Sequence, residues 1–252
     1  MSNRLEGKVA LISGGTCGIG LGVAKAYVKE GAKVVIGARF KDDECLDFLK
    51  DNPDNAVYMK LQVKDEDNWI KVVDDTVKKF GHLDIVVNDA GIGDKEGFTP
   101  KTIDKESKEN WDEIIGVNLT GTFLGIKHGM AEMEKEGHGG SIINISSIEG
   151  FVGFSTAAAY NASKGGVRMM TKSAALDAGV LKNGVRVNSV HPGYIKTRIL
   201  PKNIWDQITP TIPMGHIGEP KDIAGICVYL GSDESSYATG AEFIVDGGVI
   251  AQ

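Results

Sequence analysis

Lys8-Val9-Ala10-Leu11-Ile12-Ser13-Gly14-Gly15-Thr16-Cys17-Gly18-Ile19-Gly20 is the stretch on which the fold turns. The apolar run Lys8–Ser13 reads as a strand. Glycines then recur in the spacing G-x-x-x-G-x-G, and Gly18–Glu30 follows with helical periodicity, closed by Gly31. Glycine has no Cβ, so the turn can be tight and a ligand can approach the backbone. The helix beyond it offers unpaired N–H groups and a positive dipole end to an anion. Between a strand and a helix, such a string predicts a pyrophosphate cradle spanning Gly14, Thr16, Cys17, Gly18, Ile19 and Gly20. The alternative is a tight turn that binds nothing.

Outward from this turn, strand and helix alternate. Strands are expected at Lys33–Gly37, Asn55–Val63, Leu83–Asn88, Ser141–Ser146, Val185–Val190 and Glu242–Asp246. Helices are expected at Asp42–Lys50, Asp65–Phe80, within Glu109–Lys135, at Tyr160–Val180 and at Asp222–Leu230. This alternation predicts an α/β fold with a parallel sheet covered by helices on both faces, in one domain over residues 1–252. Strands that are apolar almost throughout agree, since both of their faces are covered. Two segments break the rhythm. Gly93–Lys108 reads as a polar surface loop. Gly193–Gly218, with three prolines, reads either as a connector or as a lid over the substrate.

Composition narrows the class. The 252 residues carry a formal charge of −6, which argues against nucleic acid and anionic membrane as partners. Cys17, Cys45 and Cys227 are scattered and odd in number, and fit neither a disulfide framework nor a metal-ligand spacing. A reducing cytoplasm is the expected setting. The first residues lack the apolar run of a signal peptide.

The end of the second strand, Gly37-Ala38-Arg39-Phe40, has no carboxylate before Asp42. An acid there would hold the ribose 2′-hydroxyl of NAD, whereas an arginine suits the 2′-phosphate of NADP. Arg39 therefore favours NADP(H). A solvated arginine, or one stacked on adenine, is the alternative.

A second constellation carries chemistry. Ser147 follows the fifth strand, and Tyr160-Asn161-Ala162-Ser163-Lys164 begins a helix thirteen residues on. Tyr160 and Lys164, four apart, share a helical face. A free phenol titrates near 10, too high for acid–base work at neutral pH. A nearby ammonium and a cationic nicotinamide are expected to lower it. Tyr160 would then trade a proton with a substrate oxygen that Ser147 polarises.

Together these motifs resemble the short-chain dehydrogenase/reductase family over essentially the whole chain. Gly14-x-x-x-Gly18-x-Gly20, Asn88-x-Ala90-Gly91, Asn118, Ser147, Tyr160-x-x-x-Lys164 and Pro192-Gly193 stand in that family's order and spacing. The resemblance implies a doubly wound, Rossmann-type sheet of seven parallel strands. It implies that Asn118 joins the catalytic set through a water linked to Lys164, and that Lys164 holds the nicotinamide ribose. It sets Asn88, Ala90 and Gly91 beside the adenosine ribose, and Pro192, Gly193, Ile195 and Thr197 along the carboxamide and pyrophosphate. Met1–Leu5, Ser146–Gly153, His191–Thr197, Pro213–Pro220 and terminal Ala251-Gln252 are similar to the R-specific alcohol dehydrogenases of lactobacilli. That group implies an NADPH-dependent ketone reductase, a homotetramer, and a structural Mg²⁺ with Gln252 as a contact.

The sequence departs from the family at several points. Asp89 replaces an amide, and Gln62-Val63-Lys64 lacks the usual acid beside adenine. Ala157-Ala158-Ala159 sets small side chains before Tyr160, leaving room for a bulkier ketone. Glu149, Phe151, Ala157, Tyr194, Ile199, Leu200 and Met214 are expected to line the substrate space, since ligands of open α/β sheets gather at the carboxyl ends of strands. His191 reads as a buried, hydrogen-bonded residue. Other readings are a thioester or sugar reductase of the same family, and a dinucleotide sensor without chemistry.

Overall fold

The computed structural model describes residues 3–93 and 102–251. The chain begins with β1 Val9–Ser13, α1 Gly18–Lys29, β2 Lys33–Ala38, α2 Asp43–Asp51, β3 Ala56–Lys60, α3 Glu66–Phe80 and β4 Ile85–Asn88. It continues with α4 Lys108–Ile114, α5 Gly121–Glu136, β5 Gly140–Ile145, α6 Ala158–Leu181, β6 Val185–Pro192, the single turn α7 Trp205–Ile208, α8 Pro220–Gly231 and β7 Glu242–Val245. The strands form one parallel sheet in the order β3-β2-β1-β4-β5-β6-β7. This is the parallel, helix-covered sheet expected from the alternation, with the seven strands and doubly wound order that the resemblance implies.

Successive strand residues point to opposite faces, and each face meets its own helices. Ala10, Ile12, Ile36, Val87 and Ile143 pack with Leu21 and Tyr27 of α1 and Ile223 and Cys227 of α8. Leu11, Val35, Val86, Ile142 and Val187 pack with Trp69 of α3, Met133 of α5 and Ala174 of α6. Each fully buried aliphatic side chain contributes about 1.5–3 kcal/mol, far more than an exposed ion pair. The Tyr27 hydroxyl, buried between α1 and α8, donates to the Cys227 carbonyl at 2.8 Å.

Helix ends follow local chemistry, with one departure. Asp65 and Ser107 cap α3 and α4 by accepting from the backbone N–H three residues on, and Glu219 with Asp222 forms a reciprocal capping box on α8. Gly81 and Gly137 end α3 and α5 in left-handed conformations. At α1, Cys17 stands in the cap position without a side-chain cap bond, and no acid occupies the first turn.

The helix expected within Glu109–Lys135 is not continuous. A π turn, Ile115–Thr120, separates α4 from α5. A Cβ on Gly116 would lie 2.9 Å from the Lys64 side chain, and one on Gly121 would lie 2.8 Å from that of Val63. The wider π turn seats both glycines on the loop after β3 and places Asn118 inward. Such turns commonly occur at functional positions.

Of the expected surface loop 93–108, residues 94–101 lie outside the described residues. The segment 193–218 has a small core of its own, in which Leu200, Ile212 and Ile217 pack with Tyr194 and Trp205. Its base is pinned where Gly218 N donates to the Tyr194 carbonyl at 2.9 Å and Lys196 N to the Gly218 carbonyl at 2.9 Å. No described helix is long and apolar enough to cross a membrane.

Candidate active site

The strand order reverses beside β1, where β2 lies on one side and β4 on the other. Open α/β sheets bind ligands at this switch point, outside the carboxyl ends of the strands. Gly14, Arg39, Asp89, Ser147 and Gly193 all lie just past such ends.

The glycine turn is shaped by close packing. Gly14 has φ +74°, and a Cβ there would lie 2.8 Å from the Ala90 backbone. Gly18 has φ +54° and faces the Thr197 side chain, 3.3 Å from where a Cβ would stand. Asp89 lies beneath the turn and accepts from the Gly20 N–H. The amide replaced at this position could accept that bond too, but the acid adds a buried charge. Burial raises the Asp89 acid to about 7, opposed by the nearby Lys164 ammonium. The uncapped first turn of α1, with its positive dipole end, fits the pyrophosphate of a dinucleotide. Arg39 follows β2 and lies over the Phe40 ring at 5.9 Å. Lys64 pairs with Glu113 of α4, and the acid of the loop after β3, Asp65, is engaged in capping α3. The Asn88 side chain is turned into the core, where it donates to Asn144 Oδ1 at 2.8 Å. Only its backbone remains for the cleft.

Four side chains expected to carry chemistry converge at the ends of β4 and β5. The Ser147 hydroxyl lies close enough to the Tyr160 phenol to favour its ionised form. Lys164 Nζ lies 5.6 Å from the centre of the Tyr160 ring and donates to the Ile145 carbonyl at 2.9 Å. Asn118 accepts from Ile92 N at 2.8 Å and donates to the Ile92 carbonyl at 3.0 Å and to Ser163 Oγ at 3.1 Å. Gly91 lies between Asn118 and Lys164, where a Cβ would stand 3.5 Å from Asn118 Oδ1 and 3.6 Å from Lys164 Nζ, in ordinary contact with both. Burial lowers the Lys164 ammonium to about 8. The lowering expected for Tyr160 is not produced by the protein's own groups. Burial raises the phenol above its ordinary value, Glu149 and Asp89 add to that, and the nearby Ser147 hydroxyl only partly opposes it. Tyr160 is thus protonated at neutral pH, the form that a proton donor needs.

Behind Ser147 stands His191, fully buried. Its Nδ1 lies 3.0 Å from the Ser147 carbonyl and its Nε2 lies 2.8 Å from Ser189 Oγ. A carbonyl only accepts, so Nδ1 carries the proton and Nε2 accepts from Ser189. Burial depresses the imidazole to about 4, keeping it neutral. Phe151 packs edge-on to His191 at 4.6 Å and carries Arg168 over its ring at 3.8 Å, with Arg168 held by Glu242.

A scan against family models matches residues 14–250 to the family described as enoyl-(acyl carrier protein) reductase. The chain is 50% identical to an NADP-dependent (R)-specific alcohol dehydrogenase of Lentilactobacillus kefiri, with both chains fully covered. It is 46% identical to a 3-alpha-(or 20-beta)-hydroxysteroid dehydrogenase of Mycobacterium bovis, covering 100% of this chain and 92% of that protein. A short-chain type dehydrogenase/reductase from Mycobacterium marinum superposes with a TM-score of 0.92 at 32% identity, covering 100% of this chain and 98% of the other. The chain belongs to the short-chain dehydrogenase/reductase family.

In this short-chain dehydrogenase/reductase the expected substrate wall divides. Glu149 acts electrostatically on Tyr160, Lys164 and Tyr194, and its Oε2 is buried without a hydrogen-bond partner. Burial raises its acid to about 7. Ala157 precedes α6, next to Thr156 at φ +68°, a backbone conformation uncommon for a β-branched residue. Tyr194 meets Phe154 edge-on at 6.4 Å, and Ile199 lies against Gly93. Leu200 belongs to the small core of segment 193–218, while Met214 is 66% exposed. Pro192 ends β6, Gly193 N donates to the Val245 carbonyl at 3.0 Å, and Ile195 is buried at the segment's base. Gln252 lies outside the described residues, and no cluster of three metal-ligating His, Cys, Asp or Glu side chains occurs among those described. Sequence reasoning missed the His191–Ser147 hydrogen bond, the π turn at Asn118 and an ion pair between Arg198 and Asp42. Each joins residues far apart in the chain or depends on packing, and periodicity carries no trace of either.

Proposed function

We propose that this oxidoreductase reduces ketones with NADPH and oxidises secondary alcohols in reverse, with Tyr160 as the proton-transferring group. The observation that carries the reading is the convergence of Ser147, Tyr160 and Lys164 beside an uncapped helix N-terminus. The bound cofactor supplies the hydride. Ser147 polarises the carbonyl oxygen, and Tyr160 gives it a proton. Lys164 is the charge beside that phenol and the natural holder of the nicotinamide ribose. Asn118, through its bonds to Ile92 and Ser163, keeps the wall behind Lys164 in place. Arg39 favours NADP, as does the cofactor printed in the name of the Lentilactobacillus relative. The R-specificity of the alcohol formed, and a 193–218 segment that covers substrate, belong to the same reading.

A homotetramer belongs to it as well. Met169, Leu176 and Val180 share one face of α6 at i, i+7 and i+11 and are exposed, with Phe123 of α5 exposed nearby. An apolar stripe of this kind marks a protein–protein contact.

The family model's description favours testing a thioester alongside ketones. Consumption of reduced nicotinamide is followed by absorbance, with NADPH and NADH run separately against acetophenone, a keto-steroid and acetoacetyl thioester. Turnover of the ketones with NADPH, giving the R alcohol on a chiral column, is the expected result. Turnover of the thioester alone would transfer the assignment to reduction of the 3-oxo group of acyl thioesters.

A further inference from the structure

Arg198 lies in the segment after β6, one residue beyond Thr197, whose side chain meets Gly18. Its guanidinium reaches Asp42, the cap residue of α2, at 2.8 Å. The Cys17 thiol, at the head of α1, feels both charges. This ion pair therefore ties the lid-like segment to the loop that carries Arg39, around the uncapped end of α1. A cleft of about 710 Å³ runs along this side and is lined by Cys17, Gly18, Thr197 and Arg198. The Arg198 side chain remains 71% exposed, so it is free to change partners.

The charge arrangement has a consequence for a phosphate held by Arg39. Asp42, three residues on, would repel such a dianion if it stood alone. An arginine on Asp42 cancels that repulsion and is itself a planar donor suited to phosphate. Position 17, which borders the same space, offers a thiol and no cation.

We infer that Arg198 is a second cationic contact for the adenosine 2′-phosphate of NADP(H), delivered by the segment after β6 and held on Asp42 until the phosphate arrives. This deepens the cofactor assignment under Proposed function and rests on it. Because the same segment carries Tyr194 and the wall of the substrate space, occupation of the phosphate site would also draw that wall toward the cofactor.

The test is a set of dissociation constants for NADPH and NADH, from quenching of tryptophan fluorescence, for the wild type, Arg39→Ala, Arg198→Ala and Asp42→Asn. Arg198→Ala is expected to weaken NADPH roughly tenfold and to change NADH by less than about twofold. Asp42→Asn is expected to tighten NADPH, since it frees Arg198 and removes a repelling charge. An equal loss for both cofactors, or no loss for NADPH, overturns the assignment of Arg198. A wild type with no NADPH preference, or an Arg39→Ala variant that keeps the wild-type preference, would instead overturn the cofactor reading itself. Arg198 is largely exposed and Asn suits a helix cap as well as Asp42 does, so equal melting temperatures are expected for all the proteins compared.

Discussion

Lys164 places its ammonium 5.6 Å from the centre of the Tyr160 ring, one helical turn along α6, and anchors it on the Ile145 carbonyl at 2.9 Å. The charge is thereby fixed beside the phenol by the backbone of β5. Tyr160→Phe removes the proton but keeps the ring. It is expected to lower kcat by about 10²–10⁴ while NADPH affinity stays unchanged, checked by steady-state rates and fluorescence titration. Substantial residual turnover would remove Tyr160 from the chemistry.

The acid at 89 sits between the glycine turn and Lys164. Its charge supports the Lys164 ammonium, which burial already lowers to about 8. Asp89→Asn removes that support, so the alkaline limb of the rate–pH profile should move to lower pH. Stability should respond in the opposite sense. An acid raised from the usual 3.9 to about 7 binds a proton in the folded chain that the unfolded chain has released, so the wild type loses stability as pH rises through that window. Asp89→Asn should therefore raise Tm at pH 8 and leave it nearly unchanged near pH 4. A variant less stable at pH 8 would assign Asp89 a supporting ionic role instead.

His191 makes an acid-side prediction. Between pH 6.5 and about 4 the unfolded chain takes up a proton that the buried imidazole refuses. Wild-type stability should fall as pH drops through that range, and His191→Asn should flatten the fall. Asn can still donate to the Ser147 carbonyl, whereas His191→Phe cannot. Phe should reduce kcat several-fold more than Asn at equal cofactor affinity. Equal kcat for both would show that the hydrogen bond to Ser147 is not what the ring contributes.

Ala157 stands at the start of α6, three residues before Tyr160. Leucine there would fill the space that its small side chain leaves. Ala157→Leu is expected to lower kcat/KM for a keto-steroid at least tenfold relative to acetone, since a bulky ring must displace packed atoms. An unchanged ratio would place the specificity wall elsewhere, on Tyr194 or Glu149.

The α6 stripe predicts an assembly defect. Leu176 is 72% exposed on the face shared with Met169 and Val180. Leu176→Glu should leave the monomer folded by circular dichroism and shift sedimentation from a tetramer to smaller species. A wild type that sediments as a monomer would dismiss the apolar stripe as a subunit contact.

The alternation of apolar runs and amphipathic segments determined the α/β class, because burial on two faces forces continuous hydrophobic strands and one-sided helices. Local spacing also determined the glycine turn, and the pairing of Tyr160 with Lys164, since i and i+4 meet on any helix. What lay beyond the sequence depended on contacts between distant elements. Asn118 faces inward through a π turn because Gly116 and Gly121 must seat on Lys64 and Val63. His191 reaches Ser147 because β5 and β6 are neighbours in the sheet, and Arg198 reaches Asp42 because the loops after β6 and β2 meet over α1. The protonation of Tyr160 was likewise settled by burial and not by the adjacent lysine. Desolvation is a property of everything packed around a group, and that exists only once the chain has closed upon itself.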